Sequence, residues 1–338
     1  MTIENADKRG KEAWNDFVFK HYPPVGGFMQ SWEWGEFQKG LGRNSERFFV
    51  TEDGSPVAAF TLIKHSLPFG MQYGYAARGP VVADSHQDKF VQVCEAIREW
   101  ALKEMPKLIF LRLEPPIEEV PTGLSERDFK IPSYYIQPRY NLTIPLDKTE
   151  DEVLMSLHPS TRSNVRRSEK RGVTVDIRTS ILEDEYEHFR GMMRDTIQRN
   201  SGTNAYPSDT YFDALFAVLS GNEALGTFYG YQNGEPAATP FVLFFGTTAT
   251  YLYGAAYTKH LSSKVTTYLH WSAMKEAKRR GMKYYDLGGI DDKRWPKLTE
   301  FKRQFRGREF SYMGNIDIPL RPTAYRIYNL VRRLRNKN

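Results

Sequence analysis

The chain has 338 residues, 40% of them hydrophobic and 26% charged, which excludes a disordered protein and at this length predicts two hydrophobic cores rather than one. A mean hydropathy of −0.57 and short apolar runs exclude a membrane-spanning helix. The one cysteine, Cys94, excludes an internal disulfide and any multi-cysteine metal site. Residues 1–20 are polar, with Lys8, Arg9, Lys11 and Glu12, and predict no secretory signal and a cytoplasmic setting.

In chain order, residues 1–10 are expected to fray. A strand at Arg47–Thr51 leads through Asp53-Gly54 to a second at Val57–Lys64 and a third ending at Tyr73-Gly74. Asx-Gly between apolar runs signals a hairpin, because both turn residues need positive φ. Phe90, Val93, Cys94, Ile97 and Ala101 recur at helical spacing, and Leu108–Leu113 reads as the next strand. Ile144–Asp147 reads as a strand end, followed by a helix over Asp151–Arg171 broken at Pro159. Amphipathic helices are expected at Leu182–Gln198 and Ser208–Leu219, the latter capped by Ser208. Strands follow at Gly226–Tyr231 and Ala237–Phe245 and before Tyr253-Gly254. A helix at Thr266–Arg280, a strand at Tyr284–Leu287 and a last helix at Thr323–Arg335 complete the series. That last helix offers Ile327, Leu330, Val331 and Leu334 to a partner surface.

These elements repeat. Asp53-Gly54-Ser55-Pro56-Val57-Ala58 returns as Asn233-Gly234-Glu235-Pro236-Ala237-Ala238, and Tyr73-Gly74 as Tyr253-Gly254, both at an offset of 180. Each half reads hairpin, strand, helix, strand. The prediction is an α+β fold of two tandem domains, arising from an internal duplication, each resembling the GCN5-related N-acetyltransferases. The division is expected at residues 1–148 plus 319–338 for the first domain and 149–318 for the second.

The charge surplus is +6 with a pI near 9.1, and it is uneven. Arg162 to Arg171 carries five basic residues against Glu169, Lys302 to Arg308 carries four without an acid, and the last eighteen residues add six more. Clustered basic charge draws polyanions. Arg162, Arg166 and Lys170 recur every four residues, a spacing that lets one helical face track phosphates. A salt-bridged helix face is the competing reading.

Several familiar chemistries have no sequence basis. The seven histidines show no helical metal-site spacing, and there is no P-loop or GxSxG elbow. Gly40-Leu41-Gly42 reads as an ordinary turn. The near match to a coenzyme A loop, Gln304-Phe305-Arg306-Gly307-Arg308-Glu309, ends in Glu and opens no helix. Cys94, on the apolar face of its helix, reads as a core thiol.

Gln30-Ser31-Trp32-Glu33-Trp34, Ala77-Arg78-Gly79-Pro80-Val81, Leu111-Arg112-Leu113-Glu114-Pro115, Thr161–Arg166, Tyr285-Asp286-Leu287-Gly288-Gly289-Ile290 and Phe301-Lys302-Arg303-Gln304-Phe305 together resemble the FemABX family across the chain. These are transferases that carry an amino acid from aminoacyl-tRNA to a peptidoglycan precursor. The chain resembles the compact members, which lack a coiled-coil arm. The resemblance implies aminolysis of the tRNA ester by a stem-peptide amine, with no cofactor and no metal. It implies aminoacyl-tRNA and a lipid-linked or UDP-linked precursor as partners, with peripheral membrane contact if the acceptor is lipid-linked.

The resemblance also implies site residues. Lys302 would hold the tRNA acceptor end and stabilise the oxyanion, and Glu114 would orient or deprotonate the amine. Phe301 would stack on the terminal adenine. Gln30, Trp34, Lys39, Tyr206, Tyr211 and Tyr253 are candidates for binding substrate, and Arg162, Arg166, Lys170, Arg303 and Arg306 for binding tRNA or phosphate. Asp286 and Gly288 are expected to shape a turn. Where compact members using a nucleotide-linked precursor place a Lys and an Arg, this chain has Glu36 and Tyr206, with Lys39 and Arg199 nearby. The acceptor form therefore stays open. The rival readings are an acyl-thioester-dependent N-acyltransferase of polysaccharide or lipid modification, and a non-catalytic RNA-binding protein.

Overall fold

A computed structural model describes residues 1–23, 25–124, 129–132, 134–199 and 206–335. In chain order the first elements are β1 (Thr2–Asn5), α1 (Gly10–His21), α2 (Trp32–Gly40), β2 (Asn44–Glu52), β3 (Ser55–Ser66), β4 (Gln72–Ala76), β5 (Val81–Val82), α3 (Phe90–Glu104) and β6 (Leu108–Leu113). Next come β7 (Tyr140–Pro145), α4 (Glu150–Ser156), α5 (Pro159–Lys170), β8 (Val173–Arg178), α6 (Glu183–Arg199), α7 (Asp209–Leu219), β9 (Leu225–Gln232), β10 (Glu235–Phe245), β11 (Thr248–Ala256), α8 (Val265–Arg279), β12 (Tyr284–Ile290), α9 (Pro296–Arg303) and β13 (Arg308–Ser311). β14 (Ile316–Pro319) and α10 (Pro322–Arg335) close the series.

The chain forms two compact units, one of Met1–Pro23, Met29–Arg139 and Ser311–Asn338, the other of Pro24–Phe28 and Tyr140–Phe310. The first sheet runs β1-β2-β3-β4-β6-β14, with β5 beside β3, and the second runs β13-β7-β12-β11-β10-β9-β8. The duplication is plain in this order. β2-β3-β4-α3-β6 matches β9-β10-β11-α8-β12, each with one parallel pair, β4 with β6 and β11 with β12. Both hairpins turn at Asx-Gly with positive φ, at Asp53-Gly54 (50° and 76°) and Asn233-Gly234 (53° and 82°). α3 buries the expected face of Phe90, Val93, Cys94, Ile97 and Ala101 against the first sheet, and α8 buries Leu269, Ala273 and Ala277 against the second.

The expected boundaries differ from these units, and strand pairing is the reason. β7 follows β6 in sequence yet pairs antiparallel with β12 of the second sheet. β14 follows β12 by way of β13 and pairs antiparallel with β6 of the first. Each copy thus takes its last strand from the chain that follows the other copy, moving the divisions from 148/149 to 139/140 and from 318/319 to 310/311.

The N-terminus is a second correction. Residues expected to fray form β1, paired antiparallel with β2 from Thr2↔Thr51 to Asn5↔Phe48, and the Asn5 side chain accepts from Asp7 N at 2.7 Å to cap the next turn. The expected break at Pro159 is present: α4 ends at Ser156 and Pro159 opens α5. Ser208 occupies the cap position of α7 without a side-chain capping bond. Lys337 lies outside the described residues.

Candidate active site

β11 and β12 run parallel only from Thr248↔Tyr284 to Thr250↔Asp286, although β11 continues to Ala256 and β12 to Ile290. The divergence begins where Asp286 folds its carboxylate back: Oδ1 accepts from Gly288 N at 2.7 Å, a turn that needs Gly288 at φ +75°. Oδ2 accepts from Gly26 N at 3.0 Å, and Asn141 Nδ2 reaches both oxygens at 3.3 and 3.2 Å. The turn role expected for this pair is therefore in place. Three donors hold the fully buried carboxylate, yet burial outweighs them and raises its pKa.

Lys302 reaches this divergence from the last turn of α9. Its Nζ donates to Gly289 O at 2.7 Å and lies 5.8 Å from the Tyr251 ring centre. Only 5% of the residue is exposed. Burial lowers the ammonium from 10.5 to about 8, with Asp286 partly opposing the drop. Among the described residues one of the three ammonium donors is taken, by Gly289.

Aromatic groups wall the amine. His270 of α8 packs against Tyr251, Phe301 and Phe305 with ring centres 4.7, 5.6 and 5.4 Å apart, and its Nδ1 lies 2.9 Å from the Tyr285 hydroxyl. Burial, then the Lys302 charge, pushes His270 down to about 3, so the imidazole is neutral at physiological pH. Phe301, the expected base-stacking residue, is half-buried and packed on this core.

A β-bulge sorts the tyrosines. Phe241 pairs with Tyr253 but Val242 with Tyr251, so Leu252 is the extra residue and the alternation of faces breaks there. Tyr251 meets His270 on α8, whereas Tyr253 meets α7, where its hydroxyl donates to Tyr211 Oη at 3.1 Å. Tyr253 and Tyr211 are brought together as expected candidates. Tyr206 acts electrostatically on Tyr251, helping burial to raise that phenol. Residue types alone did not single out Tyr251 or His270; the bulge is a backbone event with no sequence marker here.

α5 carries the expected basic face. Arg166 and Lys170 are exposed and, with Arg162 and Arg167, line a shallow concavity. Arg162 is partly diverted: its guanidinium donates to Met155 O at 2.9 Å and Leu157 O at 2.7 Å, closing the C-terminus of α4. The start of α5 is tied to the end of α9, since Gln304 O accepts from His158 N and from Thr161 Oγ1 at 2.8 Å. Arg303, another expected phosphate ligand, is exposed and pairs with Asp292 and Glu309 at 2.6 and 2.7 Å. Arg306 is exposed in the turn after α9, at φ 54°.

In the first unit, Glu114 follows β6 and is buried. Its Oε2 accepts from the Tyr75 hydroxyl at 2.6 Å and its Oε1 from Gln137 N at 3.2 Å. Gln30 is a correction: it is wholly buried, its Oε1 accepting from Thr61 N at 2.9 Å and its Nε2 donating to Ala77 O at 2.5 Å, so both ends brace backbone. Trp34 is likewise packed on Phe37, 8% exposed. Lys39 is exposed and ion-paired with Glu36 at 3.0 Å, and Glu36 in turn holds the buried Arg47 at 2.8 Å.

The sequence profile of the FemAB family matches residues 11–130, 127–225 and 219–333. The chain belongs to the FemAB family. It is 23% identical to the lipid II:glycine glycyltransferase of Staphylococcus haemolyticus (strain JCSC1435), over 94% of this chain and 93% of that protein. The crystal structure of FemX is similar in fold, with a TM-score of 0.81 at 21% identity over 97% of this chain and 99% of FemX. A tandem GNAT protein from the clavulanic acid biosynthesis pathway matches with a TM-score of 0.55 at 13% identity, over 94% and 98% of the two chains. This FemAB-family chain is thus an aminoacyltransferase on a doubled acetyltransferase-like fold. Among the described residues no helix is long and apolar enough to cross a membrane.

Proposed function

We propose that this FemAB-family enzyme works in the cytoplasm, transferring an amino acid (Gly, Ala or Ser) from aminoacyl-tRNA to the stem-peptide amine of a peptidoglycan precursor. The name of the full-length staphylococcal relative favours glycine and a lipid-linked acceptor. The observation that carries the reading is Lys302, a buried amine that among the described residues gives one bond to backbone, at the point where two parallel strands part.

In this reading the neutral acceptor amine attacks the ester carbonyl and forms the C–N bond. The carbonyl oxygen becomes an oxyanion that takes the two Lys302 donors not used by Gly289. Collapse breaks the ester C–O bond, and the proton lost by the amine ends on the departing ribose oxygen. An amine near pKa 8 is well placed to relay that proton. Glu114, fixed by Tyr75 and Gln137, keeps lone pairs with which to orient the attacking amine. Phe301 stacks on the terminal base, Tyr253 and Tyr211 receive the precursor, and Arg162, Arg166, Lys170 and Arg306 follow the tRNA backbone.

The test is transfer from charged tRNA to lipid-linked and UDP-linked precursors, with and without ribonuclease, beside a parallel assay on acyl-coenzyme A. Transfer abolished by ribonuclease supports the reading. Transfer that persists on acyl-coenzyme A with the RNA destroyed replaces it with the thioester alternative.

A further inference from the structure

The last helix leaves its most apolar stripe in solvent. Ile327, Leu330, Val331 and Leu334 are 57%, 59%, 49% and 60% exposed, and their i, i+3, i+4, i+7 spacing places them within about 100° of one helical face. The opposite face is firmly docked on the first unit. Tyr325 donates from its hydroxyl to Asp317 Oδ2 at 2.8 Å, and Arg332 lies over the Tyr134 ring at 3.2 Å. The stripe is therefore presented by a fixed helix.

A second exposed apolar group belongs to the same unit. Phe69, at the tip of the turn between β3 and β4, is 96% exposed and adopts φ 60°, a costly conformation for a bulky side chain. Its neighbours Leu67 and Met71 close the turn, Leu67 N donating to Met71 O at 2.8 Å, and both pack on the Ile109, Phe110 and Tyr325 cluster beneath α10. The turn and the helix thus share one support.

Charge identifies the occupant. Residues 321–338 carry five arginines and Lys337 without a single Asp or Glu, and Arg326 and Arg333 are exposed on one shoulder of the stripe. A second copy seated here would bring two acid-free basic helices together, and an RNA backbone has no use for four aliphatic side chains and a phenyl ring. A bilayer with anionic head groups satisfies both features, since the apolar stripe enters the acyl boundary while the arginines meet phosphates.

We propose that α10 and the Phe69 turn form a docking face for the surface of an anionic phospholipid membrane. Binding is read without donor or acceptor, so its failure would leave the transfer reading standing. Each basic residue near an anionic surface strengthens binding about fivefold.

The experiment is co-sedimentation of the full chain with phosphatidylcholine vesicles containing either no or about 30 mol % phosphatidylglycerol. The wild type should partition onto the anionic vesicles and far less onto the neutral ones. The Ile327→Gln/Leu334→Gln variant should partition at least about tenfold more weakly, and Phe69→Ser should also bind less, each with an unchanged melting temperature. Equal binding by wild type and the double variant, no preference for anionic vesicles, or loss of tRNA binding or of self-association in place of vesicle binding would overturn the proposal.

Discussion

Lys302 Nζ donates to the carbonyl of Gly289 at 2.7 Å, on the strand whose Asp286 opposes the fall in the lysine's pKa. A buried ammonium with one backbone acceptor and a carboxylate as its through-space support is under-compensated. That is unfavourable for stability and useful for a group that must meet an oxyanion.

Removing that amine should therefore stabilise the fold. The drop from 10.5 to about 8 corresponds to a penalty of about 3 kcal/mol on the charged form. Lys302→Met should gain up to that amount at pH 7, because Asp286 keeps its Gly26, Gly288 and Asn141 donors. The folded pKa lies below the unfolded one, so the unfolded chain binds more protons between about pH 8 and 10.5, and wild-type stability rises across that window. Below pH 8 the penalty is full. Denaturant unfolding of both proteins from pH 7 to 10.5 should show a difference that closes as pH rises; a less stable variant at pH 7 would refute the burial argument.

The basic face of α5 should separate into two kinds of residue. Arg166→Ala with Lys170→Ala removes exposed charge alone, and the slope of log affinity for tRNA against log salt should flatten by roughly 1.4–1.8. Arg162→Ala should also lower the melting temperature, since it strips two α4 carbonyls of their donor. Salt titrations of tRNA binding, paired with melting curves, check both.

Gln30→Ala should cost stability rather than substrate affinity. It leaves the Thr61 N–H and the Ala77 carbonyl buried without partners, about 1–3 kcal/mol for each group. Calorimetric unfolding and precursor titration distinguish the outcomes, and a loss confined to precursor affinity would restore Gln30 as a ligand.

The C-terminal helix depends on one buried carboxylate. Asp317 receives Arg112 Nε and Nη2, both at 2.7 Å, and the Tyr325 hydroxyl. Asp317→Ala leaves Arg112 buried without its carboxylate, which should cost about 3–5 kcal/mol and release α10 to faster amide exchange. Hydrogen exchange over residues 322–335 reads the second effect directly.

Much of this architecture was legible because it rests on local rules. The Asx-Gly turns fixed two hairpins, the spacing of Phe90 to Ala101 fixed a helix face, and the offset of 180 fixed the repeat. Strand exchange was not legible, since β7 and β14 are ordinary strands whose partners are chosen by the sheet edge left open. Gln30 and Trp34 show the matching limit for function. Each sits in a motif the family resemblance marks, but an amide braces backbone and an indole packs a core as readily as either binds a ligand. Lys302 lay within a basic run; what sets it apart is burial, which composition does not record. Tyr251 and His270 were hidden because a one-residue bulge, not the pattern of side chains, turns Tyr251 toward α8.

The most direct measurement is single-turnover transfer from charged tRNA by wild type, Lys302→Met and Lys302→Arg, alongside their affinity for the precursor. Loss of an oxyanion donor predicts a rate lower by about 10²–10³ for Lys302→Met with precursor affinity unchanged. Transfer by Lys302→Met at the wild-type rate would contradict the account.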